Sequence, residues 1–320
     1  MSLGARGADA VSTLPLRLKG WFTGRRVVIA VPYLFLLAFF LFPFLIVGKI
    51  SVSEMETVVV KDMWSFADGV IALKVKISNY QFIASDSLYF QTYWSSVKYA
   101  ASTTVLCLFI GYPFAYFMAR AKNTVQPALL MLVMLPFWTS FLLRVYAWKG
   151  LLTEHGLIAD LLIGIGADQV LAALGLITSP GKLMNTPFSL VLGMTYTYLP
   201  FMILPLYANL AKMDLRLLEA AADLGASPWV AFWKITVPLS KAGIIAGAML
   251  VFIPCIGEFV IPELLGGPET LMIGHVIWDE FFSNNDWPMA STVAVVMVLL
   301  IIVPLAIFNK YQAEATERRT

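Results

Sequence analysis

Long hydrophobic stretches alternate with polar connections along almost the whole chain, and this pattern predicts membrane-spanning helices. A helix needs roughly 20 apolar residues to cross about 30 Å of hydrocarbon. Because lipid offers no hydrogen-bond partner to the backbone, each stretch is expected to be helical. Six stretches are long enough: 27–48, 99–119, 127–143 (extendable to 148), 186–211, 242–257 (extendable to 265) and 289–309. The predicted fold class is all-α, a polytopic membrane protein with six transmembrane helices.

Two of the polar connections are long and contain apolar segments of their own. Connection 51–93 includes an alternating stretch at 71–77, which is typical of a short strand pair. Connection 150–185 includes an apolar stretch at 156–165 that is too short to span, so we expect an interfacial or re-entrant helix. One compact membrane domain over 27–309 is the simplest organisation.

The composition agrees with this picture and narrows the function. Hydrophobic residues make up 59% of the chain and charged residues 13%, whereas an ordinary soluble domain is about half apolar and a quarter charged. The net charge of +2 is too small to suggest a nucleic-acid partner. Cys107 and Cys255 lie inside hydrophobic stretches, so we expect packing residues rather than a disulfide or a metal site. His155 and His275 lie in separate connections and are assigned no role.

The distribution of Lys and Arg predicts the orientation of the spans. One group lies in the N-terminal arm 1–26, in the turn after the second stretch, in connection 212–241 and in the tail 310–320. By the positive-inside rule this group is cytoplasmic, so both termini are expected in the cytosol. The first stretch follows basic residues, but it is too long for a signal-peptide core and no cleavage site follows, so we expect a retained helix.

The connection between the fourth and fifth stretches predicts a folded hairpin over 214–238. Asp214 can cap a helix over 215–224, and Gly225 is well placed to end this helix in a left-handed conformation. The first half of the hairpin is therefore a short helix that stops at a glycine turn.

The second half of the hairpin has its own start and stop signals. Ser227 is a second N-cap, with Pro228 at the first helical position, and Pro238 is expected to end this helix before the next span. Trp229 and Trp233 lie on it. From these residues alone, a surface hairpin whose tryptophans lie among lipid headgroups is an equally good interpretation.

The same hairpin contains a spaced pattern of six residues: Glu219, Ala220, Ala221, Gly225, Ile235 and Pro238. The pattern resembles the signature of permease subunits of bacterial ABC importers, with Val237 in place of the usual leucine. The resemblance implies a type I ABC importer permease fold, with a cytoplasmic coupling helix between helices 4 and 5 that lies in a cleft of the ATPase subunit. Glu219 would meet a basic partner there, and Gly225 would allow the close turn. Ala220, Ala221 and Pro228 belong to the same coupling segment.

Three further runs, 135–148, 257–268 and 285–288, resemble the permeases of the polyamine importer family, most closely the putrescine type, and the likeness extends over about 25–309. The resemblance implies a bacterial inner-membrane complex of two homologous permeases, two ATPases and a periplasmic binding protein. This chain would then be a transport subunit rather than an enzyme. No phosphate-binding loop occurs in the chain. ATP and Mg would therefore bind to the partner ATPase, and this chain would bind no cofactor.

The fifth stretch contains the best candidates for contact with a cationic cargo. Glu258 lies about 24 Å along the helix from residue 242, and Glu263 follows beyond Pro262. An intramembrane carboxylate normally faces a cavity or a partner. Carboxylates and aromatic faces suit an ammonium group, which makes the following aromatic residues candidates: Phe259, Trp138, Tyr146, Tyr196 and Tyr198.

Each of these residues also has a structural interpretation. Glu258 could pair with Arg144, Glu263 could be a surface residue, and the aromatic residues could be packing. Connection 266–288 contains acidic residues and no Lys or Arg. This composition suits a negatively charged entrance that concentrates a cationic cargo, but an ordinary external loop is an equally good interpretation. A stand-alone carrier would be expected to show internal repeats, and an intramembrane enzyme a catalytic cluster; the chain shows neither. The sequence does not separate putrescine, spermidine and other small organic cations.

Overall fold

A computed structural model of the chain describes residues 24–56, 59–60, 64–67, 70–73 and 75–317. The predicted arm 1–26 lies almost entirely outside the described residues, as do the last three residues of the predicted tail. The first stretch forms α1 (Gly24–Leu36), a π-helical turn (Leu37–Leu41) and α2 (Phe42–Ser51). Two antiparallel hairpins follow, β1 (Met55–Glu56) with β2 (Val59–Val60) and β3 (Trp64–Ala67) with β4 (Val70–Leu73), and then α3 (Ser78–Ser85).

The rest of the chain is helical between short connections. In order it forms α4 (Ser87–Arg120), α5 (Gln126–Met134) with a 3₁₀ turn (Leu135–Trp138), α6 (Phe141–Leu152), α7 (Leu157–Gly164), α8 (Ala167–Ala173), α9 (Pro187–Leu210), α10 (Arg216–Asp223), α11 (Pro228–Ala231) with a π-helical turn (Phe232–Thr236), α12 (Val237–Leu239), α13 (Lys241–Ile256), α14 (Val260–Leu265), a 3₁₀ turn (Pro268–Thr270), α15 (Ile273–Trp278) with a π-helical turn (Asp279–Ser283) and α16 (Trp287–Glu317).

Six candidate spans result if each bent helix pair counts as one. Four are continuous: Val28–Ser51, Ser87–Arg120, Pro187–Leu210 and Trp287–Ala306. The other two bend, by 88° between Gln126–Trp138 and Phe141–Leu152, and by 63° between Pro228–Leu239 and Lys241–Ile256. The predicted helical, six-span architecture is thus confirmed in the described part of the chain.

Helices α4, α9 and α13 pack together as the centre of the bundle. The buried side chains of α9 include Met194, Met202 and Leu206, each with 0% of its surface exposed. Gly247 on α13 lies directly against α9, because a Cβ atom added there would be 3.1 Å from the carbonyl oxygen of Met202. Small residues are typical of helix contacts in membranes, since they let two backbones approach closely.

The 88° bend in the third span has a local cause. The 3₁₀ turn that contains Pro136 ends at Thr139 and Ser140, whose ψ angles of 150° and 138° are not helical. The Thr139 hydroxyl donates a hydrogen bond to the carbonyl of Pro136 at 2.8 Å. The uninterrupted span predicted over 127–143 is therefore two segments, because a side-chain bond replaces the helical pattern at this point.

The long connections contain short elements in the described part of the chain. Strand β4 covers part of the alternating stretch predicted at 71–77, and 75–77 is irregular and leads into α3. Helix α7 confirms a short helix within 156–165, and with α8 it contributes to a small separate hydrophobic cluster around Leu152, Ala159, Ile177 and Leu183. Cys107 and Cys255 are free and fully buried, which confirms their interpretation as packing residues.

Candidate functional site

The hairpin between the fourth and fifth spans turns at Gly225 as the sequence predicts. Gly225 has φ +81°, in the left-handed region. Its N–H donates to the carbonyl of Ala222 at 2.8 Å, and the N–H of Ala226 donates to the carbonyl of Ala221 at 2.9 Å. These two bonds satisfy carbonyl groups at the end of α10 that would otherwise lack helical partners. The turn at Gly225 therefore ends α10 with hydrogen bonds to two of its last carbonyl groups.

The first helix of the hairpin starts at Asp214. One Asp214 oxygen accepts the backbone N–H of Arg216 at 3.0 Å, and the Arg216 guanidinium binds the same carboxylate at 2.8 Å. This contact holds the pKa of Asp214 below its usual value. The Asp214 carboxylate bonds to the start of α10 as predicted, but the N-cap position is occupied by Leu215, so the regular helix begins one residue later than expected.

The second helix of the hairpin starts as predicted and ends differently. The hydroxyl of Ser227 accepts the N–H of Val230 at 3.4 Å, and Pro228 occupies the first turn. The predicted stop at Pro238 is wrong, because helical structure continues through the π-helical turn to Leu239 and the bend occurs at Ser240. A proline is tolerated in the first turn of a helical segment, and Pro238 lies in the first turn of α12.

Aromatic contacts attach the hairpin to the bundle. The ring of Phe232 meets those of Tyr112 and Tyr116 edge-on, with centroids 5.6 Å and 5.7 Å away. The hydroxyls of Tyr112 and Ser240 are 2.9 Å apart and hydrogen-bonded. Because Tyr112 and Tyr116 belong to α4, a displacement of the hairpin acts directly on a central helix of the bundle.

The other face of the hairpin is exposed. Of the predicted coupling residues, Glu219, Ala220, Gly225 and Pro228 are exposed and Ala221 is buried. Large apolar side chains surround them, namely Leu224, Trp229 and Trp233, which are 88%, 70% and 54% exposed. Within the part of the chain that the structure describes, Glu219 has no ion pair or side-chain hydrogen bond. This face therefore combines apolar surface with two carboxylates, Glu219 and Asp223, that have no ion pair among the described residues.

A second group of predicted residues meets where the fifth span is interrupted. Helix α13 ends at Ile256 and α14 begins at Val260. One oxygen of Glu258 accepts the backbone N–H groups of Phe259 and Val260, at 3.2 Å and 3.1 Å. The other accepts a hydrogen bond from the hydroxyl of Tyr198 on α9. Both carboxylate oxygens of Glu258 thus have hydrogen-bond partners, at a point where the helix is interrupted.

The structural interpretation of Glu258 as a partner of Arg144 is wrong. The Arg144 guanidinium lies over the rings of Phe137 and Phe141, 5.5 Å and 6.0 Å from their centroids, and its Nε and Nη1 atoms have no hydrogen-bond partner among the described residues. Glu258 reaches backbone N–H groups and Tyr198 instead, because the interruption of the helix offers donors closer to it.

Glu263 is paired rather than a plain surface residue. One of its carboxylate oxygens lies 2.5 Å from Nε2 of His275, and Nδ1 of His275 lies 3.0 Å from a carboxylate oxygen of Asp279 without hydrogen-bond geometry. Sequence reasoning missed His275. The available signal was Asp279 four residues later on the same helical face.

The predicted aromatic residues separate into three groups. Tyr198 and Phe259 are joined to Glu258 by hydrogen bonds. Trp138 and Tyr146 lie on the outer surface of the chain, 71% and 54% exposed. Tyr196 contacts Trp148 edge-on at 5.4 Å. Among the predicted cargo residues, the structure therefore brings Tyr198 and Phe259 into contact with Glu258.

Comparison with known proteins agrees with this architecture. Residues 107–317 match the family described as binding-protein-dependent transport system inner membrane component. The chain is similar to the spermidine/putrescine transport system permease protein PotB of Haemophilus influenzae, with 37% identity over 90% of this chain and 93% of the relative. It is also similar to PotB of Escherichia coli strain K12, with 41% identity over 68% of this chain and 78% of the relative.

The fold recurs in a solved structure of lower sequence similarity. A bacterial ABC transporter involved in the import of the acidic polysaccharide alginate has a TM-score of 0.60 at 16% identity, covering 93% of this chain and 99% of that one. These names describe transport proteins rather than enzymes. The chain therefore belongs to the family of binding-protein-dependent transport system inner membrane components, as a multi-pass permease.

Proposed function

We propose that the chain is the permease subunit of an ATP-driven, binding-protein-dependent importer that moves putrescine or spermidine into the cytoplasm. The names of its relatives support the polyamine cargo. The observation that carries the proposal within this chain is Glu258, a carboxylate at the interruption of a membrane helix. A second, homologous permease, two ATPase subunits and a periplasmic binding protein would complete the complex.

The exposed face of the α10–α12 hairpin is the surface that receives the ATPase. Its large apolar side chains would be costly to leave in water, and Glu219 is available for a basic partner. In this arrangement the hairpin and both termini face the cytosol. ATP and Mg bind to the ATPase, and its closure pushes Phe232 against Tyr112 and Tyr116.

Two lysine substitutions test the coupling role. Glu219→Lys should prevent co-purification of the ATPase with the permease, because it places a cation against the expected basic partner. Asp160→Lys, an equal change of charge on the exposed surface of α7, is the matched control and should leave co-purification unchanged. Normal co-purification with Glu219→Lys would exclude Glu219 from the contact, and a hairpin held by headgroups alone predicts that result.

The chemistry at Glu258 suits an ammonium group in transit. A polyamine nitrogen could replace the Tyr198 hydroxyl as the partner of one Glu258 oxygen, while the backbone N–H groups keep the other oxygen in place. Phe259 and Tyr198 supply aromatic surface for the ammonium group and the methylenes. Because Glu258 already has partners, the affinity for cargo is weak, which allows release on the far side.

Uptake into vesicles that contain the complete complex tests the cargo. Putrescine and spermidine should compete with each other, whereas arginine and choline, which represent other organic cations, should not. Transport of a basic amino acid without transport of either polyamine would refute the cargo assignment. Uptake that continues without the ATPase would instead identify a stand-alone carrier.

A further inference from the structure

Helix α15 lies directly on the interruption of the fifth span. A Cβ atom added to Gly274 would be 2.5 Å from the carbonyl oxygen of Gly257 and 2.6 Å from that of Glu258. The ring of Trp278 stacks on Phe259 with centroids 4.6 Å apart and planes 11° apart. The backbone of one helix therefore touches the backbone on both sides of the Glu258 Cα atom.

Helix α15 is itself fixed to the central helix α4. The N–H of Ile273 donates to the hydroxyl of Ser96 at 2.7 Å, and both residues are fully buried. In the π-helical turn directly after α15, Glu280 accepts a hydrogen bond from the hydroxyl of Tyr89 at 2.9 Å. Because both anchors come from α4, α15 is a fixed surface against which α14 rests.

Two contacts one helical turn apart fix α14 on that surface. Phe259 and Glu263 are four residues apart, and they meet Trp278 and His275 respectively. The second contact differs in character from the first, because the carboxylate of Glu263 is 59% exposed and lies beside a cavity of about 320 Å³. An exposed contact of this kind contributes little to stability, so we expect it to orient α14 rather than to stabilise the fold.

We propose that His275 is a positioning residue for Glu258. The buried Ile261 and Leu265 hold one side of the six-residue helix α14. By fixing Glu263 on the exposed side, His275 helps to set the axis of α14, and this axis sets the direction of the N–H groups of Phe259 and Val260. Those groups in turn fix the Glu258 carboxylate beside Tyr198. The inference rests on the proposed role of Glu258 in cargo transfer, and it assigns a function to a residue outside the path itself.

A mutant cycle between His275 and Glu258 tests this role. Complexes with His275→Ala, Glu258→Gln and both changes are compared in vesicles for maximal uptake rate, KM for the loaded binding protein and basal ATPase rate. Glu258→Gln should lower the maximal rate by about tenfold, since it weakens hydrogen bonds to a charged group. His275→Ala should lower it by about threefold to tenfold without changing KM or basal ATPase rate, and the double variant should be no slower than Glu258→Gln alone.

Conservative variants separate positioning from loss of structure. His275→Gln keeps an N–H donor for Glu263 and should recover most of the rate. Glu263→Ala removes the same contact from the side of α14, so it should lower the maximal rate as much as His275→Ala does. If the His275→Ala complex does not assemble, Glu263→Ala takes its place in the mutant cycle. His155→Asn changes the other histidine, in the connection between α6 and α7, and should match the wild type.

The outcomes distinguish this inference from the function on which it rests. If Glu258→Gln transports normally, Glu258 has no cargo role and the positioning role falls with it. If Glu258→Gln lowers the maximal uptake rate but His275→Ala does not, Glu258 keeps its role and the positioning role of His275 is overturned. The same conclusion holds if the rate of the double variant falls by the product of the two single losses. Loss of basal ATPase activity in both His275→Ala and Glu263→Ala would also overturn it, because their contact would then be purely structural.

Discussion

Replacing Gly225 by alanine should weaken binding of the ATPase by an amount that the turn geometry fixes. Gly225 has φ +81°, and a Cβ atom added there meets no heavy atom within 4 Å. Steric contact with the described residues of this chain therefore contributes nothing, and the expected effect is the cost of a left-handed conformation, roughly 1–2 kcal/mol for an L-residue. If the ATPase binds the hairpin only when the turn is in this left-handed conformation, the ATPase Kd should rise by a factor of about 5–30.

The measurement is a titration of the purified ATPase onto the permease pair in detergent or nanodiscs, with Kd as the readout. Gly181→Ala is the matched control, because Gly181 has φ +83° and equally open surroundings in a connection at the other end of the bundle. It incurs the same backbone cost and should leave Kd unchanged. Gly225→Asn should weaken binding less than Gly225→Ala, since asparagine tolerates this conformation better. An unchanged Kd for Gly225→Ala would refute the reasoning, and so would equal weakening by Gly181→Ala.

Three further predictions follow from the same geometry. Gly247→Leu should lower the stability of the purified complex by about 1–3 kcal/mol through overpacking against Met202, measured by thermal melting, whereas Gly150→Ala, whose Cβ meets nothing within 4 Å, should not. Tyr198→Phe should lower the maximal uptake rate less than Glu258→Gln, because Glu258 keeps its two backbone donors; equal losses would contradict this. Since the pKa of Asp214 is lowered, its contribution is present above its usual pKa of about 3.9 and is lost only as pH falls through the lowered value. The ATPase rates of wild type and Asp214→Asn should therefore keep the same ratio across neutral pH, and a ratio that changes there would refute this.

The α10–α12 hairpin was predictable in most details because its determinants are local. Asp214, Gly225 and Ser227 each act on backbone groups within a few residues, so their spacing is sufficient to predict caps and a turn. The wrong prediction at Pro238 concerns a position where the structure of the preceding residues decides the outcome. Proline limits a helix only through its missing N–H and its ring, and the π-helical turn before it allows the helical path to continue to Ser240.

The surroundings of the predicted cargo residues were only partly predictable. The sequence selected Glu258 from the cost of a carboxylate in a span, and it selected Trp138 and Tyr146 by residue type, without indicating that both are exposed in this chain. Aromatic residues are common throughout membrane helices, so residue type alone does not distinguish a packing residue from one that contacts Glu258.

The sequence by itself determined which stretches are helical and where the hairpin turns, because lipid and backbone hydrogen bonding act on each segment separately. It did not predict the 88° bend within the third span. Only the tertiary structure decided the partners of Glu258 and Glu263. Tyr198 is 60 residues from Glu258 in the chain, and His275 is 12 residues from Glu263 across a break and a 3₁₀ turn. Such pairs depend on how whole helices cross and rotate against one another, and no short stretch of sequence contains that information.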